Sequence, residues 1–100
     1  MAKPEAKNLP ELKKAWDEYG HMIAWDDLLD VKIRADDHCY AVLAWKEYDM
    51  INMADLYRTG HDKPWEMQND GHDPITPAEW KKLRIVPYCD WFEIPGKVEV

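Results

Sequence analysis

The sequence predicts a small α+β domain in which about three short helices pack on a small, mainly antiparallel sheet. Its 100 residues suit a single domain with one modest core, and 46% apolar with 33% charged residues is a globular composition. The apolar spacing also changes along the chain, from helical to alternating and back. We therefore assign residues 1–100 to one domain, with an N-terminal arm over 1–8 and a long polar loop over 60–75.

The first predicted element is a helix over residues 10–19. Its apolar face comes from four residues at helical spacing: Leu12, Ala15, Trp16 and Tyr19. Pro10 suits the first helical position, where its missing N–H has no partner to lose, and Gly20 suits a left-handed end. Residues 22–29 then allow at most a short helical turn.

Two strands follow as a predicted hairpin. Residues 29–36 alternate apolar and polar side chains, as a half-buried strand does. A turn is expected at Asp36-Asp37-His38, and residues 39–46 are apolar on both faces, as in a central strand.

The next segment is predicted to be a helix over residues 50–59, with Asp49 as its N-cap and Gly60 at its end. The alternative is one longer helix over residues 37–59. It rests on six side chains that can share one side of that helix: Cys39, Val42, Leu43, Met50, Met53 and Tyr57.

The C-terminal part begins with a strong local signal. Residues 76–79, Thr-Pro-Ala-Glu, form a capping box with proline at the first helical position, and Pro87 prevents the helix from continuing. Strands are predicted over residues 88–94 and 97–100, with a turn at Pro95-Gly96 between them.

The net charge of −7 limits the classes of partner. Phosphate backbones and anionic membranes repel such a chain, so we expect neither direct nucleic-acid binding nor membrane binding. The start of the sequence is polar, so we expect no signal peptide, a cytoplasmic location, and reduced thiols at Cys39 and Cys89.

Aromatic and acidic residues together predict a recognition surface. A core of this size has room for roughly three or four of the six tryptophans. Trp65 is expected to be exposed because it lies in the polar loop. Acid pairs in the N-terminal half would attract a protein with a basic surface. The predicted partner-binding residues are Asp26, Asp27, Asp30, Asp36, Asp37, Tyr57 and Trp65.

This composition is similar to that of small phage-encoded inhibitors of host nucleases, although the chain carries no family motif. In one form of the hypothesis, carboxylates mimic phosphates and occupy the basic groove of an enzyme. In another, the chain is an accessory subunit of a larger enzyme. An acidic domain with an ordinary surface would have the same net charge.

A repeated triplet, Gly60-His61-Asp62 and Gly71-His72-Asp73, supports an alternative function. Imidazoles and carboxylates on a loop are ligands for zinc or another divalent metal. The hypothetical ligand set is His61, Asp62, His72, Asp73 and Cys89. The spacing matches no established metal motif, and turn formation explains the same residues. We expect no other cofactor.

Catalysis is not expected, because no catalytic motif is present. His38 and Cys39 are adjacent on a predicted strand and would point to opposite faces. The sequence therefore predicts a non-enzymatic binding protein. A small enzyme that uses His61 or His72 as a general base is the remaining alternative.

Overall fold

The computed structural model describes residues 9–20 and 23–96; the predictions for the arm over 1–8 and the strand over 97–100 lie outside these residues. A four-stranded antiparallel sheet has the order β1-β2-β3-β4. Its strands are β1 (Asp30–Ile33), β2 (Tyr40–Glu47), β3 (Met50–Tyr57) and β4 (Glu66–Asn69). A second, two-stranded sheet contains β5 (Arg84–Ile85) and β6 (Phe92–Glu93). The helices are α1 (Pro10–Glu18) and α2 (Pro77–Lys82), and Trp25–Asp27 forms a 3-10 turn.

The α+β class is confirmed, but the described ranges contain two α-helices rather than about three. The predicted helix over 50–59 is wrong, and so is the alternative helix over 37–59, because this segment forms β3. Glu47 of β2 pairs with Met50, so Tyr48 and Asp49 form a tight turn, and Tyr48 adopts a φ of 59°. Asp49 is therefore a turn residue and not an N-cap. In the described part of the chain, neither helix is long and apolar enough to span a bilayer.

The sheet has a core on each face, because side chains of β2 alternate between them. Ala41, Leu43 and Trp45 face α1, whereas Tyr40, Val42 and Ala44 face α2. The α1-face core also contains Leu12, Ala15, Trp16, Trp25, Leu28, Val31, Ala54, Leu56 and Trp65. The α2-face core also contains Ile51, Met53, Ile75, Trp80 and Leu83. β2 is thus the central strand that its two-sided apolar pattern predicts.

Helix α1 forms where predicted, but it ends at Glu18, and Tyr19, which was predicted to complete its apolar face, is exposed. Leu12, Ala15 and Trp16 are buried, and the indole Nε1 of Trp16 donates a hydrogen bond of 2.8 Å to the carbonyl of Ile23. Gly20 has a φ of +63°, the left-handed conformation that ends a helix at low steric cost.

Tyr19 extends from the end of α1 to the edge strand β4. Its hydroxyl donates to the carbonyl of Trp65 at 3.2 Å and accepts from the N–H of Met67 at 2.7 Å. These two backbone groups belong to alternate residues, so they point to the same side of the strand. Tyr19 therefore covers that part of the sheet edge.

The predicted polar loop over 60–75 is more ordered than expected, since it contains β4 and a further backbone pairing. Ile75 and Ile51 exchange two N–H to carbonyl hydrogen bonds, of 2.7 and 2.9 Å. The N–H of His72 also donates to the carbonyl of Met53 at 3.1 Å. The segment is thus fastened to the edge of β3, where it carries His72 over the α2 face.

The capping box predicted at residues 76–79 forms at the start of α2. Thr76 Oγ1 accepts a hydrogen bond from the N–H of Glu79 at 3.1 Å, and a Glu79 carboxylate oxygen accepts one from the N–H of Thr76 at 2.8 Å. The strand predicted over 88–94 is shorter in the structure and comprises only β6, because the residues before β6 form the tight connection from β5. Within that connection, the N–H of Val86 donates to the carbonyl of Trp91 at 2.9 Å.

Candidate partner-binding surface

The acidic residues predicted to bind a partner do not form one exposed surface. Asp26 and Asp27 lie in the 3-10 turn and are exposed. Asp30 is buried, which corrects its assignment to the surface. One of its carboxylate oxygens accepts from the N–H of Val31 at 2.9 Å, and the other accepts from the indole N–H of Trp80 at 3.0 Å.

Asp36 and Asp37 both contact one buried guanidinium. Arg34 makes a bidentate contact with Asp37 through hydrogen bonds of 2.8 and 2.9 Å, and its Nε lies 3.5 Å from Asp36. The hydrogen bond from Arg34 lowers the pKa of Asp37 below its usual value. Arg34 also binds Asp90 at 3.0 Å. This turn therefore presents carboxylates that are paired with Arg34, in a cluster of three acids and one guanidinium that keeps a net negative charge.

Trp65, predicted to be exposed, is buried, with only 5% of its surface accessible. Its ring packs in the α1-face core, and the Arg58 guanidinium lies 4.7 Å from the ring centroid. Arg58 in turn donates to the Glu11 carboxylate at 3.1 Å. Tyr57 is half-buried against the α2-face core. The two aromatic residues chosen from the sequence are therefore mainly core residues.

The two histidines of the repeated triplet have different partners. His61 Nε2 lies 2.5 Å from the carbonyl oxygen of Asp37, whereas His72 Nε2 lies 3.1 Å from a carboxylate oxygen of Asp55. Cys89 is exposed and forms no disulfide with the buried Cys39. Among residues 9–20 and 23–96, no three His, Cys, Asp or Glu side chains are grouped as metal ligands. The proposed set of His61, Asp62, His72, Asp73 and Cys89 therefore has no geometric support.

Asp55 is the centre of a buried polar network that sequence reasoning missed, because this residue was placed on a predicted helix. Only 1% of Asp55 is exposed, and the Tyr40 hydroxyl donates to its carboxylate at 2.5 Å. Gln68 donates to the same oxygen at 3.2 Å, and His72 binds the other oxygen. Burial, with the hydrogen bond to Asp55, raises the pKa of Tyr40 well above its usual value. A buried carboxylate with three donors is well satisfied.

Register explains how the network assembles. Val42 pairs with Asp55 and Tyr40 with Tyr57, so Tyr40 and Asp55 are diagonal neighbours on the α2 face of the sheet. His72 arrives from the segment that pairs with the edge of β3. The one sequence signal for the network was an acid within the otherwise mostly apolar segment over 50–57.

The imidazole of His72 forms part of a groove on the α2 face. Its ring meets Phe92 edge to face at 5.0 Å, and Phe92 stacks with Trp91 at 6.1 Å and an interplanar angle of 16°. Trp91 is 62% exposed, in contrast to the five other tryptophans, which are buried. We call this cavity of about 430 Å³ the aromatic groove. It is lined by Met53, His72, Asp73, Ile75, Trp91, Phe92, Glu93 and Ile94.

Several contacts hold the connection that carries Trp91. Asp90 binds Arg34, and its carbonyl accepts from Gln68 at 3.2 Å. The N–H of Tyr88, a residue with a φ of 61°, donates to Asp36 at 3.0 Å. The ion cluster thus holds the connection from which Trp91 projects, so Asp36 and Asp37, which were predicted to contact a partner, have a structural role here.

Charge distinguishes the aromatic groove from a second cavity of about 390 Å³ between α1 and residues 61–65. That cavity carries Lys14 and Lys63 together with acidic residues. The aromatic groove is lined by two acids, Asp73 and Glu93, and by no lysine or arginine of the described ranges. Glu93 forms an ion pair with Arg84, whereas Asp73 has no ion pair or side-chain hydrogen bond with any described residue.

Sequence reasoning did not identify Trp91 or Phe92 as site residues. Both were placed on a predicted strand over 88–94, where neighbouring side chains would point to opposite faces. Pro87 and Pro95, which limit strand length on either side, were the available signal that this segment is short. Comparison with protein-family models, with curated proteins and with solved structures found no match.

Proposed function

We propose that this protein is a non-enzymatic binding protein, and that its partner is a protein with a basic surface. The aromatic groove would be the contact site, in place of the acidic N-terminal half favoured by the sequence. The proposed cytoplasmic location is unchanged. An inhibitor of an enzyme with a basic surface, including one that mimics nucleic acid, and an accessory subunit are two forms of this function.

One observation carries the proposal: Trp91 is exposed in a groove whose described lining includes two acids and neither lysine nor arginine. Tryptophan is enriched among the residues that dominate binding energy at interfaces. The net charge of −7 favours encounter with a basic partner through long-range attraction.

Anchoring of the groove adds a second argument. Arg34, Asp90 and Gln68 hold the segment that carries Trp91 against the main sheet. A segment whose backbone is already held loses less conformational freedom when a partner binds.

Affinity capture with the immobilised full chain tests the proposal. A specific partner should be captured from a lysate of the encoding organism, and the Trp91→Ala variant should lose it. Raising salt from about 0.05 to about 0.5 M should weaken capture, because salt screens attraction between charged surfaces.

The matched control is Tyr48→Asn, which removes an aromatic ring that is 91% exposed and does not line the groove. Asparagine tolerates the left-handed backbone found at this position. The control should capture the partner as well as the unaltered chain does. Equal capture by Trp91→Ala, or capture insensitive to salt, would contradict the proposal.

A further inference from the structure

We propose that the aromatic groove binds an arginine side chain of the partner, presented beside an aliphatic residue on an extended segment. This inference rests on the proposed function and specifies the chemistry that the site recognises. It follows from the composition of the groove and from an arrangement that the same chain uses at the surface beside its α1-face core.

The groove combines an aromatic face with an acid, Asp73, that pairs with no residue in the described part of the chain. The ring planes of Trp91 and Phe92 are nearly parallel, and the two stacked rings form one wall of the groove. A guanidinium stacks on such faces, and its planar donors suit a carboxylate. Asp73 lines the same groove and makes no ion pair with any residue in the described ranges.

An internal contact provides the precedent. The Arg58 guanidinium lies 4.7 Å from the ring centroid of Trp65 and binds the Glu11 carboxylate at 3.1 Å. The chain thus builds one arginine site from an indole and a carboxylate. The groove offers the same two groups, Trp91 and Asp73, and no described lysine or arginine occupies it.

The rest of the lining fits an aliphatic neighbour of the arginine. Met53, Ile75 and Ile94 give the groove an apolar part beside the aromatic wall. Its volume of about 430 Å³ is at the small end of ligand sites and suits a short segment rather than a whole domain. Glu93 is already paired with Arg84, so Asp73 is the acid assigned to the incoming cation.

Binding of a short peptide probe tests the inference directly. The probe is acetyl-Ile-Arg-Ile-amide, and its controls replace arginine with the uncharged isostere citrulline or with lysine. Tryptophan fluorescence and backbone amide NMR shifts would report binding to the full chain. We expect binding near a millimolar dissociation constant at low salt, with a roughly three- to fivefold loss for either replacement.

Two variants assign the contacts. Trp91→Ala and Asp73→Asn should each weaken the arginine peptide by roughly three- to fivefold. Asp49→Asn makes the same charge change in the exposed β2–β3 turn and should have no effect. An equal loss in Asp49→Asn would overturn the role of Asp73, and equal affinity for the citrulline or lysine peptide would overturn the choice of arginine.

Competition in the capture experiment separates this inference from the proposed function. If the arginine peptide releases the captured partner, both are supported. If the partner is captured through Trp91 but the peptide neither binds nor competes, the arginine inference is overturned and the proposed function stands. If the peptide binds the groove but no partner is captured, the proposed function is overturned and the groove chemistry stands.

Discussion

The two faces of the four-stranded sheet use aromatic residues differently. Four buried tryptophans, Trp16, Trp25, Trp45 and Trp65, lie in the α1-face core. The α2 face instead combines one buried indole with a buried carboxylate network and an exposed groove. Most of the tryptophan content therefore serves core volume. Trp91 is the tryptophan whose ring remains exposed, so the proposed recognition surface depends on it.

The largest expected effect on stability is found by comparing two variants, each of which removes one indole: a buried one on the α1 face or the exposed one on the α2 face. Trp16→Ala should lower the free energy of unfolding by about 3–5 kcal/mol, because a large buried side chain leaves a cavity. Trp91→Ala should change it by less than about 0.5 kcal/mol, as an exposed substitution does. Urea unfolding followed by circular dichroism measures both, and similar losses in the two variants would refute the distinction.

The buried network on the α2 face should give the next largest effect. Asp55→Ala should lower the free energy of unfolding by about 1–3 kcal/mol, because the Tyr40 hydroxyl loses its buried acceptor. Asp73→Ala is the matched control, since it removes an exposed carboxylate from the same face. A change below about 0.5 kcal/mol for Asp55→Ala would mean that the network does not stabilise the fold.

Alkaline pH should weaken the α2 face through Tyr40. Its folded-state pKa lies above the unfolded value of about 10, so its contribution is complete below about pH 10. Above that pH the unfolded chain loses the proton while the folded chain retains it. The free energy of unfolding should then fall by up to about 1.4 kcal/mol per pH unit because of this one group.

Tyr40→Phe should remove that part of the pH dependence in urea unfolding measured between about pH 8 and 11. Val42→Ala serves as the control, because it destabilises the same strand without removing a titrating group. Its stability should be lower at every pH, with the slope unchanged. If the free energy of unfolding of Tyr40→Phe still fell with pH as steeply as that of the unaltered chain, the pH dependence would not come from Tyr40.

The smallest expected effect lies at the edge of the sheet. Tyr19→Phe should lower the free energy of unfolding by about 1 kcal/mol, because it removes the hydroxyl that bonds Trp65 and Met67. Tyr48→Phe removes a hydroxyl from the fully exposed turn and should change stability by less than about 0.5 kcal/mol. Thermal unfolding of the two variants side by side would show whether the edge contact stabilises the fold.

The elements that the sequence predicted correctly carry local signals. Pro10 with Gly20, and the capping box at residues 76–79, act within a few residues of the helices they define. β3 was assigned incorrectly because Asp49 and Gly60 suited the two ends of a helix, whereas its strand conformation comes from pairing with β2 and β4.

The site was harder to predict because its contacts are remote in sequence. Asp30 is buried by the indole of Trp80, 50 positions away, and Arg34 reaches Asp90, 56 positions away. No local pattern indicates such pairs, so acids that the sequence analysis assigned to a partner-binding surface make internal contacts in the structure. The core was predicted to have room for three or four tryptophans, but five are buried, and the one that remains exposed is Trp91 rather than Trp65.

The position of the Tyr19 hydroxyl has a consequence for how copies of this chain meet at high concentration. Strands with free backbone groups are templates on which further chains stack into fibres. Here a newcomer would first have to displace the phenol from Trp65 and Met67. We therefore expect the molecule to resist growth by strand stacking from β4.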